Sequence, residues 1–382
     1  MPRRPPQVAL VTGATGFLGA HVAAKLRERG VPRVLCLVRA DDDASARARL
    51  AANFARLELD APDFEHGGLE IVRGDLEADG LALEPKQRAQ LAAELDLVVH
   101  AGARVDFARD YDALRAANVG GTRALVERCC EAGGAPLHLV SSIGVPAAPG
   151  IAPDDVVLED EDLARFATLE GGYERSKWVA EQLVRNASSR GLPAAIWRVG
   201  RLAGDSSTGA WSADDFAARS LRGVVALGLA PGESFEVEMT AVDAVADAIA
   251  AVALAEVADG RTFHLVRAEP ARFEGLVERL RAAGRPVATT TYRRWYERAR
   301  EAVRADREHP LAPILALLDE PAEDGPDDGR FAPDQDLPRL DDTNARAALA
   351  RAGVALPPVD TEAVVRAVAA FERRGLVPKE TS

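Results

Sequence analysis

An α/β fold built on a doubly wound parallel sheet is predicted by three observations. Short β-branched runs alternate with helix-length segments over residues 1–200, a glycine-spaced turn follows the first run, and chemistry-bearing residues fall just after successive runs. The runs are Val8–Thr12, Arg33–Val38, Leu69–Arg73, Leu95–His100, Leu137–Ser141 and Ala194–Val199. They are apolar almost throughout, as strands covered by helices on both faces must be. Ligands of such sheets collect at the carboxyl ends of the strands, which is where the candidate residues lie.

Beyond Gly204 the alternation weakens. Trp211–Leu227 reads as a helix that leaves the sheet, Val242–Leu254 as a second helix, and Thr262–Val266 as a late strand that rejoins the sheet edge. The expected division is a dinucleotide-binding domain over residues 1–204, with 236–268 returning to it, and a smaller, mostly helical substrate-binding domain over 205–235 and 269–382. Glu320–Pro338, rich in Asp, Pro and Gly, reads as a mobile loop.

Composition narrows the class. With 47% hydrophobic and 28% charged residues the chain can bury a full core, and no apolar run approaches the roughly 20 residues that span a bilayer, so a soluble protein without a membrane partner is expected. The start, Met1-Pro-Arg-Arg-Pro-Pro6, lacks the apolar core of a secretory signal, which points to the cytoplasm; its prolines suit a linker stub. Three cysteines, Cys36, Cys129 and Cys130, suit a reducing compartment, and all three read as core residues. A net charge of −13 argues against a general nucleic-acid binder, and no metal site is expected.

The turn Thr12-Gly13-Ala14-Thr15-Gly16-Phe17-Leu18-Gly19 sits between a strand and a helix running to about Arg29. That spacing allows a tight turn, close backbone approach to a pyrophosphate and close helix–strand packing, with the helix N-terminus facing the anion. The end of the second strand then selects the cofactor, because a carboxylate there holds a ribose 2′-hydroxyl and a cation a 2′-phosphate. Arg39 stands there, and Arg47 and Arg49 follow on the next helix, so NADPH is favoured. Asp41, Asp42 and Asp43 read either as ribose ligands or as caps of that helix. Gly74-Asp75-Leu76 and Ala101-Gly102-Ala103 follow the third and fourth runs, where Asp75 and Leu76 face an adenine and small residues let the backbone pass under the cofactor; plain turn chemistry explains them equally well. Asn118, an amide inside a predicted helix, signals a specific hydrogen bond.

Tyr173 and Lys177 are four residues apart and share a helix face. A lysine cation there is expected to lower the tyrosine pKa toward the range of an acid catalyst. Ser142 closes the fifth strand, so the three side chains can converge above a nicotinamide. Ser142 would bond the substrate carbonyl, Tyr173 would donate to the developing oxyanion, and Lys177 would tune Tyr173 and bind the nicotinamide ribose.

The glycine turn, Cys36-Leu-Val-Arg39-Ala, His100-Ala-Gly-Ala-Arg-Val, Asn118-Val-Gly-Gly-Thr122, Val140-Ser-Ser-Ile-Gly-Val145, Gly172-Tyr-Glu-Arg-Ser-Lys-Trp178 and Arg198-Val-Gly-Arg201 together resemble the thioester reductase family. These are the terminal reductase domains of nonribosomal peptide and polyketide synthases and the reductase portion of carboxylic acid reductases. The likeness continues through Thr240-Ala-Val-Asp243, Phe263-His-Leu-Val266 and Asp342-Thr-Asn-Ala-Arg346, nearly the whole chain. It implies an extended short-chain dehydrogenase fold of Rossmann type, NADPH as donor, and an acyl or peptidyl chain tethered by phosphopantetheine to a carrier protein. Family roles fall on Ser142, Tyr173 and Lys177 for catalysis and on the glycine turn from Thr12, Arg39, Arg49 and Asp75 for the cofactor; Val199 is a further expected cofactor contact. Many members carry threonine at Ser142, which keeps the hydroxyl, and proline at Val199. The implied product is an aldehyde, or an alcohol after a second reduction. Between Arg281 and Glu308 eight arginines face four acidic residues, which reads either as a carrier-docking helix or as a solvated face laced with charge pairs. The rival readings are a nucleotide-sugar epimerase or dehydratase, against which Arg39 speaks, and a non-catalytic NADPH sensor, against which the intact triad speaks.

Overall fold

Every residue of Val8-Ala-Leu-Val-Thr12 is buried, and this run forms β1 of a parallel sheet. β2 (Arg33–Val38), β3 (Leu69–Arg73), β4 (Leu97–His100), β5 (Leu137–Ser142), β6 (Ala194–Val199) and β7 (Thr262–Leu265) complete it. The order is β3-β2-β1-β4-β5-β6-β7, with every neighbouring pair parallel. The chain reverses its direction of travel between β1 and β4, which opens a crevice at the carboxyl end of β1.

The computed structural model describes residues 5–64, 68–152, 154–232, 235–255, 259–266, 271–318, 320, 338–357 and 361–378. They divide between two compact units, the first within 1–200, 242–266 and 337–356, the second within 201–241, 267–336 and 357–382. Of the stretch read as a mobile loop, residues 321–337 lie outside the described ones.

The first unit holds the sheet and the helices α1 (Phe17–Glu28), α2 (Asp43–Arg56), α3 (Pro85–Glu94), α4 (Gly121–Glu131), α5 (Gly172–Ser188), α6 (Val242–Ala255) and α7 (Thr343–Ala352). α3, α4 and α5 pack side by side, as do α1, α6 and α7. α6 is apolar almost all round, with Val242, Val245, Ile249 and Val252 buried, as a helix covered on most sides requires. Arg29 at the end of α1 clamps it with a bidentate pair to Asp247 at 2.8 and 2.7 Å.

Four expectations are corrected. β4 begins at Leu97, because the Leu95 amide still donates to Leu91 O and finishes α3. The helix read from Trp211 begins at Phe216, where Asp215 caps it by accepting from the amides of Ala217 and Ala218. Cys130 is exposed while Cys36 and Cys129 are buried, since one step along a helix turns about 100° from the core. Residues 337–356, assigned from sequence to the second domain, pack in the first unit: Arg339–Leu340 pairs with Val156–Val157, and α7 lies on α6 and β7. Buried Glu159 fixes that return, accepting from the amides of Asn344 and Ala345 at the head of α7 and from the His264 amide of β7. Burial pushes its carboxyl up to about 7 against those three bonds.

The centre of the unit holds an ion pair. Arg198 of β6 and Glu181 of α5 are both fully buried and joined by Nε–Oε1 and Nη2–Oε2 bonds of 3.1 and 2.9 Å. Ser141 of β5 donates to the same carboxylate at 2.6 Å. Burial alone would raise the Glu181 carboxyl, but the Arg198 charge and these bonds hold it below the ordinary carboxylate range.

Among its described residues the second unit contains helices Phe216–Leu227, Phe273–Ala282, Tyr292–Ala305 and Glu362–Arg373 with three short strand pairs. Tyr292 and Trp295 of the arginine-rich helix are its buried anchors.

Removing one member of the buried pair strands the other. Glu181→Gln is expected to cost about 3–5 kcal/mol of unfolding free energy, read as a lower urea midpoint, with partial recovery in the Glu181→Gln/Arg198→Met double variant. Equal stability of the single variant and the parent would count against the pair as the structural clamp.

Candidate active site

The glycine turn is shaped by what it must pass. Gly13 has φ +79°, and a Cβ there would sit 2.7 Å from the Gly102 backbone. A Cβ on Gly19 would fall on the Gly13 carbonyl oxygen. Both positions therefore need glycine, one for its dihedral and its approach to the β4 loop, the other for the seating of α1 on the turn. The Gly16 amide closes the turn on Gly13 O at 2.7 Å, and Asn53 of α2 braces it by donating to the carbonyls of Ala14 and Gly16. No side chain caps the start of α1, so its first amides are open to an anion.

This turn forms one wall of a cleft of about 590 Å³. Gly13, Thr15, Gly16, Phe17, Leu18, Gly19, Arg39, Arg49, Asp75, Leu76, Ala101, Gly102 and Ala103, all candidates from sequence, line it. Arg104 and Glu77, paired at 3.3 Å, line it as well and were missed. The cradle that glycine alone permits, the open helix N-terminus and two cleft-lining arginines fit a dinucleotide. Arg39 is 64% exposed with Nη1 3.8 Å from Asp75 Oδ2, and Arg49 donates to the Arg39 carbonyl. Asp42 caps α2 through the Ser45 amide at 2.7 Å, and Asp43 pairs with Arg73, which favours the capping reading of the acidic triplet.

Thr12 and Asn118 are placed behind the cleft lining. Thr12 Oγ1 accepts from the Gly102 amide at 3.0 Å and meets His100 Nδ1 at 2.7 Å; His100 Nε2 meets Thr122 Oγ1 at 3.0 Å, and that hydroxyl donates to Asn118 O. Thr122 has spent its proton, so Nε2 is the protonated ring nitrogen and Nδ1 accepts from Thr12. Burial, with the Lys177 charge, drives His100 down to about 3, in keeping with a neutral ring. Asn118 stands in a π-helical turn, Ala116–Gly120, just before α4. Its Oδ1 accepts from Arg104 N at 2.7 Å while Nδ2 donates to Arg104 O and to Ser176 Oγ. The amide thus ties the β4 loop to α5.

On α5, Tyr173 and Lys177 are buried, and Lys177 Nζ donates to Val140 O at 2.6 Å, two residues before Ser142. Val199, at the end of β6, is registered against Ser142 in the sheet. Gly144 lies between Ser142 Oγ and the Glu174 side chain, so the end of β5 and the first turn of α5 adjoin. Ser142 Oγ accepts from the Gly144 amide at 3.0 Å, and among the described residues no hydrogen bond joins it to the Tyr173 hydroxyl. The Tyr173 ring packs edge-on against Phe107, centroids 5.2 Å apart.

The expected depression of the tyrosine pKa is overturned. Burial, with neighbouring Glu174, raises the phenol above its ordinary value, and Lys177 has its ammonium on a backbone carbonyl. Lys177 itself is drawn down to about 8 by burial, against the opposing pull of Glu181. The phenol is therefore the protonated, donor form at neutral pH.

The second unit encloses its own apolar cavity of about 70 Å³, walled by Trp211, Phe216, Phe235, Met239, Phe273 and Leu276 among others. On its arginine-rich helix, Arg298 and Arg300 pair with Glu301 and Glu320 at 2.8 and 3.0 Å, as the charge-laced reading expects.

Comparison with known proteins adds the following. An NAD-binding family model described as Male sterility protein matches residues 11–249. The chain is 35% identical over 296 residues to a linear gramicidin synthase polypeptide of Brevibacillus parabrevis, covering 77% of this chain and 6% of that protein. It is 32% identical over 361 residues to the isonitrile lipopeptide synthase of Streptomyces coeruleorubidus, covering 94% of this chain and 24% of that one. It thus spans a quarter or less of the length of these two relatives. Among solved structures, the terminal R domain from the myxalamid PKS-NRPS biosynthetic pathway superposes with a TM-score of 0.84 at 33% identity, covering 98% of this chain and 92% of that one.

Proposed function

This chain belongs to the thioester reductase family of the extended short-chain dehydrogenases, and from that membership we propose that it releases an acyl or peptidyl thioester from the phosphopantetheine arm of a carrier protein by reducing it with NADPH. The observation that supports the reading is the Lys177 bond to the Val140 carbonyl, two residues before Ser142, where the end of β5 adjoins the first turn of the helix that carries Tyr173, in the unit that holds the glycine-turn cleft. The second unit, with its apolar cavity, would serve substrate and carrier.

The glycine turn, Arg39, Arg49 and Asp75 would hold the nicotinamide cofactor, which when bound would supply the hydride for the thioester carbonyl carbon. Ser142 and Tyr173 hydroxyls donate to the thioester oxygen and stabilise the charge that grows there. Tyr173, kept protonated by burial, passes its proton to that oxygen, giving a thiohemiacetal. Return of the proton to Tyr173 reforms the carbonyl and breaks the C–S bond; the thiolate takes a proton from solvent, leaving an aldehyde and the free carrier thiol. One hydride and one proton are consumed. Lys177, fixed on the Val140 carbonyl, lies on the tyrosine's helix face, from which its ammonium would bind the nicotinamide ribose. The same groups suit a second reduction of the aldehyde to an alcohol.

The decisive experiment adds an acyl-pantetheine thioester and follows NADPH oxidation. Tyr173→Phe is expected to cut turnover about 10²–10⁴-fold with cofactor affinity retained, and an active Phe variant would remove the tyrosine from the mechanism. Lys177 loses its charge as pH rises through about 8, so kcat/KM should fall above that point; a profile flat to pH 10 would contradict a required ammonium. Preference for NADPH rests on exposed Arg39 in the cleft. Arg39→Ala should weaken NADPH binding about 10–100-fold and NADH binding little, measured by fluorescence titration; parallel losses would assign the arginine no part in phosphate recognition.

A further inference from the structure

Four large apolar side chains stand out into solvent among the described residues, and two of them, Val105 at 60% and Phe107 at 52% exposure, lie within three residues of each other in the loop after β4. That loop joins the two halves of the site. Arg104 at its start lines the dinucleotide cleft, and the Phe107 ring meets the ring of Tyr173 at 5.2 Å and 72°. The loop is also fixed. Asn118 holds both the amide and the carbonyl of Arg104, Asp106 accepts from the Ala108 amide and from Arg109 Nε, and a Cβ on Gly172 of α5 would collide with the Arg109 carbonyl. Val105 and Phe107 are thus presented to water on a rigid support, next to the tyrosine, rather than left out on a slack one.

We propose, resting on the thioester-reduction reading above, that Phe107 and Val105 form the contact surface for the acyl chain and make Phe107 a specificity-determining residue for apolar acyl groups. The thioester has two arms. The pantetheine arm is rich in amides and hydroxyls, whereas carbons of a hydrocarbon acyl chain gain by covering an exposed aromatic face. A carbonyl oxygen bonded to Tyr173 brings its nearest acyl carbons alongside that ring, and Phe107 adjoins it.

The test compares acetyl- and octanoyl-pantetheine with the wild type, Phe107→Ala and Phe107→Leu, at saturating NADPH. Phe107→Ala is expected to lower kcat/KM for the octanoyl thioester about tenfold, mostly through KM, to leave the acetyl thioester within about twofold, and Phe107→Leu to restore most of the loss. Equal effects on both thioesters, or none on either, would overturn the proposal. A parallel loss of NADPH affinity would put Phe107 against the nicotinamide and overturn it too. Calorimetric titration of the NADP⁺-loaded protein with the non-reducible octanoyl amide analogue separates this inference from the reading beneath it. Should the wild type oxidise NADPH with neither thioester, the catalytic reading fails, while tighter analogue binding by wild type than by Phe107→Ala still supports the apolar contact, and equal binding defeats it.

Discussion

Glu181 and Arg198 face each other with no solvent to stabilise either charge, and the position of α5 on the sheet follows from that pair. Each charge is bearable only beside the other, so the helix cannot slide or rotate without leaving one of them stranded. Ser141 completes the carboxylate's bonding one residue before Ser142, and Lys177 lies one helical turn before Glu181. Arg198 also donates to His264 Nε2 at 3.1 Å, while His264 Nδ1 donates to the Asp341 carbonyl. Burial and the guanidinium hold that imidazole near 4, so it stays neutral and can accept. One ion pair thereby registers β5, β6, β7 and the returning segment against the tyrosine helix.

A second buried chain runs from the glycine turn. Thr12, His100, Thr122 and Asn118 pass hydrogen bonds from the β1 turn to the π-helical turn before α4, and Asn118 continues to Arg104 and, through Ser176, to the Tyr173 carbonyl. Each member is satisfied, so the chain stiffens the walls without leaving a buried polar atom exposed to apolar surroundings. The cofactor cleft and the tyrosine helix are consequently parts of one hydrogen-bonded body. The raised phenol and the lowered ammonium belong to the same enclosure, since burial penalises whichever form carries charge.

Much of this is legible along the chain. Strands such as Val8–Thr12 announce themselves as nearly continuous apolar runs, and the glycine turn, Ser142, Tyr173 and Lys177 occupy local patterns with a local physical reason. Asn118 stands out because an amide in a helix needs a partner, and Asn53, which braces the turn, bears the same signal. Boundaries are less legible. Leu95 fits a strand and a helix end equally well until a hydrogen bond to Leu91 decides it, and Trp211 continues the apolar pattern of a helix whose cap, Asp215, lies four residues on.

What the sequence determined by itself is what depends on neighbours in the chain: the order of strands and helices, the dihedral freedom at Gly13, the shared helix face of Tyr173 and Lys177. Tertiary structure alone decided the rest. Glu159 and Asn344 are 185 residues apart, and Glu181 finds Arg198 on another element. Cys130 faces water where adjacent Cys129 is enclosed, and the Tyr173 phenol is raised where a lone lysine partner would have lowered it. Burial and long-range partners set these outcomes, and a charge's cost depends on how completely the fold excludes water from it, which no run of adjacent residues specifies.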